Sequence, residues 1–184
     1  MNKSFMAFLV TLLLSLPVFA GESEVFYSLG GVSYHHQKIE GYAFNEVHPG
    51  FGVEYIDTMF KDVPALKYSV LGHYMAKDSF ESSAYWVGAA GFYRFEPFSS
   101  WELDLGLGAV YLNKNLARWK QVNGETQVRL LENQQFLPIP YIGVNKRFSD
   151  GFVISKVGVN LLHTPRISGV SEISATYLQV KVSF

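Results

Sequence analysis

From Trp101 to Tyr111 the chain reads Trp-Glu-Leu-Asp-Leu-Gly-Leu-Gly-Ala-Val-Tyr, with an apolar residue at nearly every second place. Side chains of an extended strand alternate between two faces. Trp101, Leu103, Leu105, Leu107, Ala109 and Tyr111 therefore share one face, and Glu102, Asp104, Gly106 and Gly108 share the other. An aromatic closes each end of the apolar row, the pattern of a strand that crosses a bilayer with its apolar face on lipid. Similar rows recur at Phe51, Val53 and Tyr55, at Tyr85, Val87, Ala89, Tyr93 and Phe95, and at Leu178, Val180, Val182 and Phe184. The opposite faces hold Glu54, Lys156, Asn160, Tyr177, Gln179 and Lys181. Eight strands are expected, roughly at 25–36, 49–57, 65–77, 83–95, 100–112, 136–148, 152–163 and 173–184. Each is near or above the ~10 residues that a tilted membrane strand needs. The expected fold is all-β, an eight-stranded antiparallel transmembrane β-barrel. Closure pairs every backbone group in lipid, and so narrow a bore is filled by side chains or holds one ligand.

The connections sort by length. Thr58–Pro64, Glu96–Ser99 and Ser149–Gly151 are short, whereas the alternate connections are longer, notably 113–135 and 164–172. Outer-membrane barrels keep short turns in the periplasm and long loops outside, so the ends of strands one and three are expected at the exterior. Residues 1–20 read as a secretory signal to be removed: Lys3, an apolar run from Phe5 to Leu16, then Pro17-Val18-Phe19-Ala20 before Gly21. That leaves 21–184 as a single barrel domain. Lys3 is the only charged residue lost, leaving 14 basic against 16 acidic residues and no footprint for nucleic-acid binding. There is no cysteine, hence no disulfide framework. Aromatics make up 16% of the chain, which favours a membrane barrel over a small soluble sandwich.

One polar constellation stands out. Tyr34-His35-His36 ends the first strand and Lys77-Asp78-Ser79 ends the third, so this topology sets both on the outer rim. Imidazole, carboxylate and hydroxyl are the parts of acyl transfer: the ring accepts a proton near neutral pH and the carboxylate orients it. Asp and Ser are equally ordinary turn formers. Period-two parity from Phe26 through Val32 points His36 inward rather than His35, leaving the reacting histidine open between them. His48, His73 and His163 read as structural, and no His/Asp/Glu spacing suggests a metal site. Lys114, Arg118, Lys120 and Arg129 read as a solvated loop, with contact to lipopolysaccharide phosphates as the other reading.

Several motifs resemble, in order, those of the lipid A palmitoyltransferase (PagP) family. Met75-Ala76-Lys77-Asp78-Ser79-Phe80 is similar to its Lys-Asp-Ser segment, and Tyr34-His35 to its aromatic-His pair. Phe44-Asn45-Glu46 and His48-Pro49-Gly50-Phe51-Gly52 resemble its Asn-Glu-Arg-Pro and glycine-rich second strand. Leu105-Gly106-Leu107-Gly108, Phe136-Leu137-Pro138-Ile139-Pro140 and Thr164-Pro165 match later motifs across most of the chain. The resemblance implies a barrel that moves a palmitoyl-type chain from a phospholipid donor to lipid A in the bacterial outer membrane, with no cofactor. It sets the family's His, Asp and Ser on His35, Asp78 and Ser79: His35 as general base or acid, Asp78 as its electrostatic partner, Ser79 as nucleophile or positioning donor.

Gly88, Gly106 and Gly108 are expected to leave room for an acyl slot, and Pro138, Pro140 and Pro165 to loosen strand pairing at lateral lipid entrances. The family's amphipathic helix is not expected, because Gly21-Glu22-Ser23-Glu24 leads almost directly into strand one. Two rivals stand beside the acyltransferase. One is a barrel without chemistry, serving structure, adhesion or a small pore. The other is a lipid A deacylase, whose His-x-Ser-Asn type motif His163-Thr164-Pro165 does not reproduce.

Overall fold

In the computed structural model, the two-residue period becomes eight strands: β1 (Glu24–His35), β2 (Val47–Phe60), β3 (Val63–Met75), β4 (Ala84–Phe98), β5 (Trp101–Val122), β6 (Glu125–Arg147), β7 (Lys156–Thr164) and β8 (Ala175–Ser183). The structure describes residues 23–38, 42–123, 125–149, 153–166 and 174–184, so the expected signal at 1–20 lies outside them. Each strand pairs antiparallel with the next, and β8 returns to β1 from Tyr27↔Val182 to His35↔Ala175, closing the barrel. Closure leaves no free sheet edge, the condition for a β-structure to cross lipid.

The outer wall is apolar, with Leu107 76% and Leu29 74% exposed in its middle. Phe60, Phe95, Phe98, Trp101 and Phe184 are exposed toward one rim, and Tyr34 and Phe136 toward the other. An apolar band between aromatic girdles, around a polar interior, places the barrel in the bacterial outer membrane.

Two connections differ from expectation. Segment 113–135 is not a loop: β5 and β6 stay paired through Lys114↔Asn133 to Val122↔Glu125. Asn123 holds φ at +53° between them, and Asn-Gly is the pair that a tight hairpin turn favours. The density of charge in this segment masks its strand character. Arg118, Lys120 and Arg129 belong to these paired strands, but their side chains lie outside what the structure describes. The connection from Arg147 to Lys156 is longer than the expected Ser149–Gly151 turn, of which 150–152 fall outside the described residues. Phe148 N–H donates to the Ser155 carbonyl at 2.9 Å across it.

The bore is layered. Toward the short-turn end, Arg94 donates to both oxygens of Asp104 at 2.7 and 2.9 Å and to Glu24 at 2.6 Å. Lys156 bridges Glu102 at 2.7 Å and Glu24 at 2.9 Å. Next comes Glu54, which accepts from Lys181 at 2.6 Å, Tyr141 at 2.7 Å and Asn160 at 3.1 Å. The Phe92 and Tyr141 rings stack at 4.7 Å, and the Lys181 ammonium lies 4.3 Å from the Phe26 ring centre. Toward the long-loop end the lining turns apolar, with Leu71, Met75, Trp86, Val110, Leu112, Leu137, Ile139 and Leu162. Side chains thus fill the middle of the bore, between a polar cavity of ≈ 540 Å³ at the short-turn end, lined by Glu24, Lys67, Arg94, Glu102 and Lys156, and a smaller apolar one near the outer mouth.

Removing one partner of a buried ion pair strands the other charge. Lys181→Met should lower stability by about 3–5 kcal/mol in denaturant unfolding of the refolded barrel, and Glu54→Leu combined with Lys181→Met should recover most of it.

Candidate functional site

The outer mouth is assembled by one irregularity. Phe26 and Ser28 face the lumen, and continued alternation would send His36 there. Gly30 instead takes φ +102°, and the register of β1 slips against both neighbours between Ser28 and Gly31. Against β8 the bulge adds one residue to β1, against β2 the extra residue is on β2, and the parity of β1 is reset. Ser33 and His35 then face inward, while Tyr34 is 62% exposed on the outer wall. His35 is 7% exposed. His36 is exposed and bonds Thr176 Oγ1 at 2.9 Å outside. The parity that pointed to His36 therefore fails at Gly30, and His35 is the lumenal histidine.

His35 Nε2 lies 2.9 Å from Ser79 Oγ, joining the ends of β1 and β3. The ring stacks on Phe44 with centres 4.3 Å apart. Phe44 in turn meets Phe80 and Tyr42, an aromatic cover over this side of the mouth. The first loop docks on the segment bearing Ser79: Asn45 N–H donates to the Ser79 carbonyl at 3.1 Å and Asn45 Nδ2 to the Asp78 carbonyl at 3.0 Å. Phe44-Asn45, noted in the sequence only as part of a resembling motif, thus positions the site.

Asp78 is 1% exposed but does not orient His35. Its Oδ1 accepts from the backbone N–H groups of Phe80 at 2.8 Å and Ser82 at 3.0 Å. It folds the turn in which Glu81 holds φ at +59°, the ordinary work of an aspartate in a tight turn. The expected Asp78–His35 pair is accordingly not formed. Asp78 Oδ2 and His35 Nδ1 are both buried without a partner among the described residues. The carboxylate fixes where Ser79 stands, and the Phe44 ring fixes the imidazole plane.

His48, read from sequence as structural, belongs to this mouth. Its Nε2 bonds Ser33 Oγ at 2.7 Å and its Nδ1 the Lys77 carbonyl at 3.2 Å. Parity with inward Glu54, through Gly52 and Gly50, was the signal for it. His73 lies deeper, with Nδ1 2.9 Å from Gln179 Nε2 and its ring stacked on Trp86. Gly52 is required there, since a Cβ would strike that ring. His163 is on the outer wall, 3.1 Å from Thr176 Oγ1.

Beneath His35 and Ser79 runs a narrow cavity with ≈ 80 Å³ of free space. Ser79, Asp78, His48 and Lys114 line its top, and Met75, Trp86, Val110, Leu112, Ile139 and Leu162 its walls. The glycines expected to create this space do not line it. Room at Gly106 is taken by Phe92, and room at Gly88 by the Val110 side chain. The prolines do act at the wall: the β6–β7 ladder stops at Ile142↔Leu161. Pro138 and Pro140 of β6 lie just beyond that point, on the outer side, with no N–H to offer β7. Ile139 and Leu162, on either side of this break, both line the cavity.

No family model matches the chain, and no curated protein does. Among solved structures, it is similar to Ail, the attachment invasion locus protein of Yersinia pestis, with 13% identity, a TM-score of 0.48 and coverage of 90% of this chain and 98% of that one. It is also similar to Neisserial surface protein A, with 13% identity, a TM-score of 0.43 and coverage of 88% and 94%. At this distance the likeness describes the fold alone.

Gly30→Ala tests how the mouth is built. A Cβ at Gly30 would collide with the His48 carbonyl oxygen, on a backbone conformation unfavourable to L-residues by roughly 1–2 kcal/mol or more. The variant should unfold at lower denaturant by at least that amount, and a cysteine at position 35 should become more reactive to a membrane-impermeant maleimide in the Gly30→Ala background.

Proposed function

We propose that this outer-membrane barrel is an acyltransferase that takes a palmitoyl-type chain from a phospholipid and passes it to lipid A. The observation that carries the reading is the His35 Nε2–Ser79 Oγ contact of 2.9 Å, set at the head of an apolar cavity. The break between β6 and β7 beside that cavity gives a lipid chain a sideways route from the membrane. An acyl chain lying in the cavity would bring its ester to the imidazole and hydroxyl. As base, His35 takes a proton either from Ser79, whose oxygen then attacks the donor ester and carries the acyl group, or directly from the lipid A hydroxyl while Ser79 holds the ester carbonyl. On the direct path the proton returns through His35 to the departing lysophospholipid oxygen; on the covalent path it does so first, and His35 then takes the proton of the lipid A hydroxyl, whose oxygen attacks the acyl-Ser79 ester, and returns it to Ser79 Oγ.

The cavity is too small to receive a long chain unchanged. A dozen methylenes, each about the size of a water molecule at roughly 30 Å³, exceed its ≈ 80 Å³ several-fold. Entry therefore requires movement of the wall, for which Met75 is suited by its flexible side chain and the β6–β7 break by its missing ladder bonds.

A second reading is a barrel without chemistry that presents a surface. It is favoured by the β5–β6 hairpin, which stays paired beyond the last β4–β5 pair, Tyr85↔Asn113, to Val122↔Glu125. Mass spectrometry of lipid A from a host lacking such an enzyme separates the readings. Expression should add the mass of one acyl chain. His35→Ala and Ser79→Ala should each reduce the modified fraction by about 10²–10⁴ in rate, while His36→Ala leaves it unchanged. Unmodified lipid A would favour the passive barrel, and lost acyl groups the deacylase.

A further inference from the structure

Along β5 the lumen-facing positions run Gly108, Val110, Leu112 and Lys114, so a cation follows directly on the apolar wall of the cavity. Lys114 is not the solvated-loop residue that its charged neighbourhood suggests, since it is partly buried and shares the cavity lining with Asp78 and Ser79. The other lumenal cations are engaged: Arg94, Lys156 and Lys181 in ion pairs and Lys67 with Thr58 Oγ1 at 2.9 Å. No ion pair or hydrogen bond among the described residues uses the Lys114 ammonium. Asp78 lies beyond ion-pairing distance, with one oxygen spent on its turn and the other, Oδ2, buried without a partner at the same cavity. A cation drawn partly out of water without an anion is costly unless a ligand supplies one.

We propose that Lys114 is the anion-recognition residue of the mouth, binding a phosphate oxygen of the lipid whose acyl chain enters the cavity. This rests on the acyl-transfer reading and adds to it a positioning group. In a phospholipid the phosphate and the acyl esters are a few bonds apart, as Lys114 and Ser79 share one rim with the apolar wall below. Holding the phosphate at Lys114 sets an ester carbonyl beside Ser79 and His35. Lipid A carries the same chemistry in its sugar phosphates, so donor and acceptor are the two sources of the anion.

The test measures binding without turnover. In the refolded full barrel, with Trp101 and Trp119 replaced by Phe, the fluorescence of Trp86 in the cavity wall reports occupancy. Phosphatidylethanolamine, the matching diacylglycerol, phosphorylated lipid A and its dephosphorylated form are titrated separately. Lys114→Gln should weaken binding of a phosphorylated lipid about tenfold, the scale of one charge-assisted hydrogen bond. Diacylglycerol binding should be unchanged, which also reports an intact fold, and Lys114→Arg should retain most of the affinity. Loss confined to the phospholipid assigns the donor phosphate; loss confined to lipid A assigns the acceptor. Equal weakening of phosphorylated and phosphate-free lipids, or no weakening of either, overturns the proposal. A barrel that binds phosphate through Lys114 yet leaves lipid A mass unchanged keeps this site and loses the acyl-transfer reading. An active enzyme indifferent to Lys114→Gln overturns the site alone.

Discussion

A sheet in lipid must pair all of its backbone, and the closed ring from β1 to β8 is how this chain does so. Closure makes alternation strict: every second side chain faces lipid and the rest share a narrow bore. Within such a frame a single inserted residue has consequences along the whole remaining strand. Gly30 is that residue. Its φ of +102° marks a slip in which β1 carries one extra position against β8 while β2 carries one extra against β1, and everything from Gly31 to His35 changes face. Without the bulge the imidazole that meets Ser79 would lie on the outer wall.

The bore divides into a fixed part and an adaptable part. Around Glu54 and Arg94, charges are held by several short contacts each, so movement there would strand buried charge. Among the described residues no ion pair ties the outer half, where hydrogen bonds hold the rim, Met75, Leu112, Ile139 and Leu162 pack beneath it and the β6–β7 ladder is interrupted. The part of the wall held by the fewest polar contacts therefore lies beside His35 and Ser79. Phe26, Phe92 and Tyr141 plug the middle of the bore, separating the polar cavity at the short-turn end from the apolar one beneath Ser79.

Period two was enough to read eight strands, though not the extension of β5 and β6 through 113–135, and also the lipid face and the inward placing of Glu54, Asn160, Gln179 and Lys181. It failed where backbone conformation, not side-chain pattern, decides. Gly30 gives no hint in sequence that it is a bulge rather than one more small strand residue, so His36 looked lumenal. Asn123-Gly124 did carry a hairpin signal, obscured by the charges around it. Spacing set His35 near Ser79 through topology, but could not show that Asp78 serves its own turn. Glycines revealed where space is made and not what fills it, as Phe92 against Gly106 illustrates. His48 was within reach by counting back from Glu54.

The account turns on His35, rather than His36, meeting Ser79. With five histidines in the chain, the isotope-labelled imidazole nitrogens of the refolded barrel give a spectrum simple enough to assign by single substitutions. Ser79→Ala should shift the signals that His35→Ala removes and leave those that His36→Ala removes in place. A shift of the His36 signals instead, or of none, would contradict the geometry from which the proposed chemistry is built.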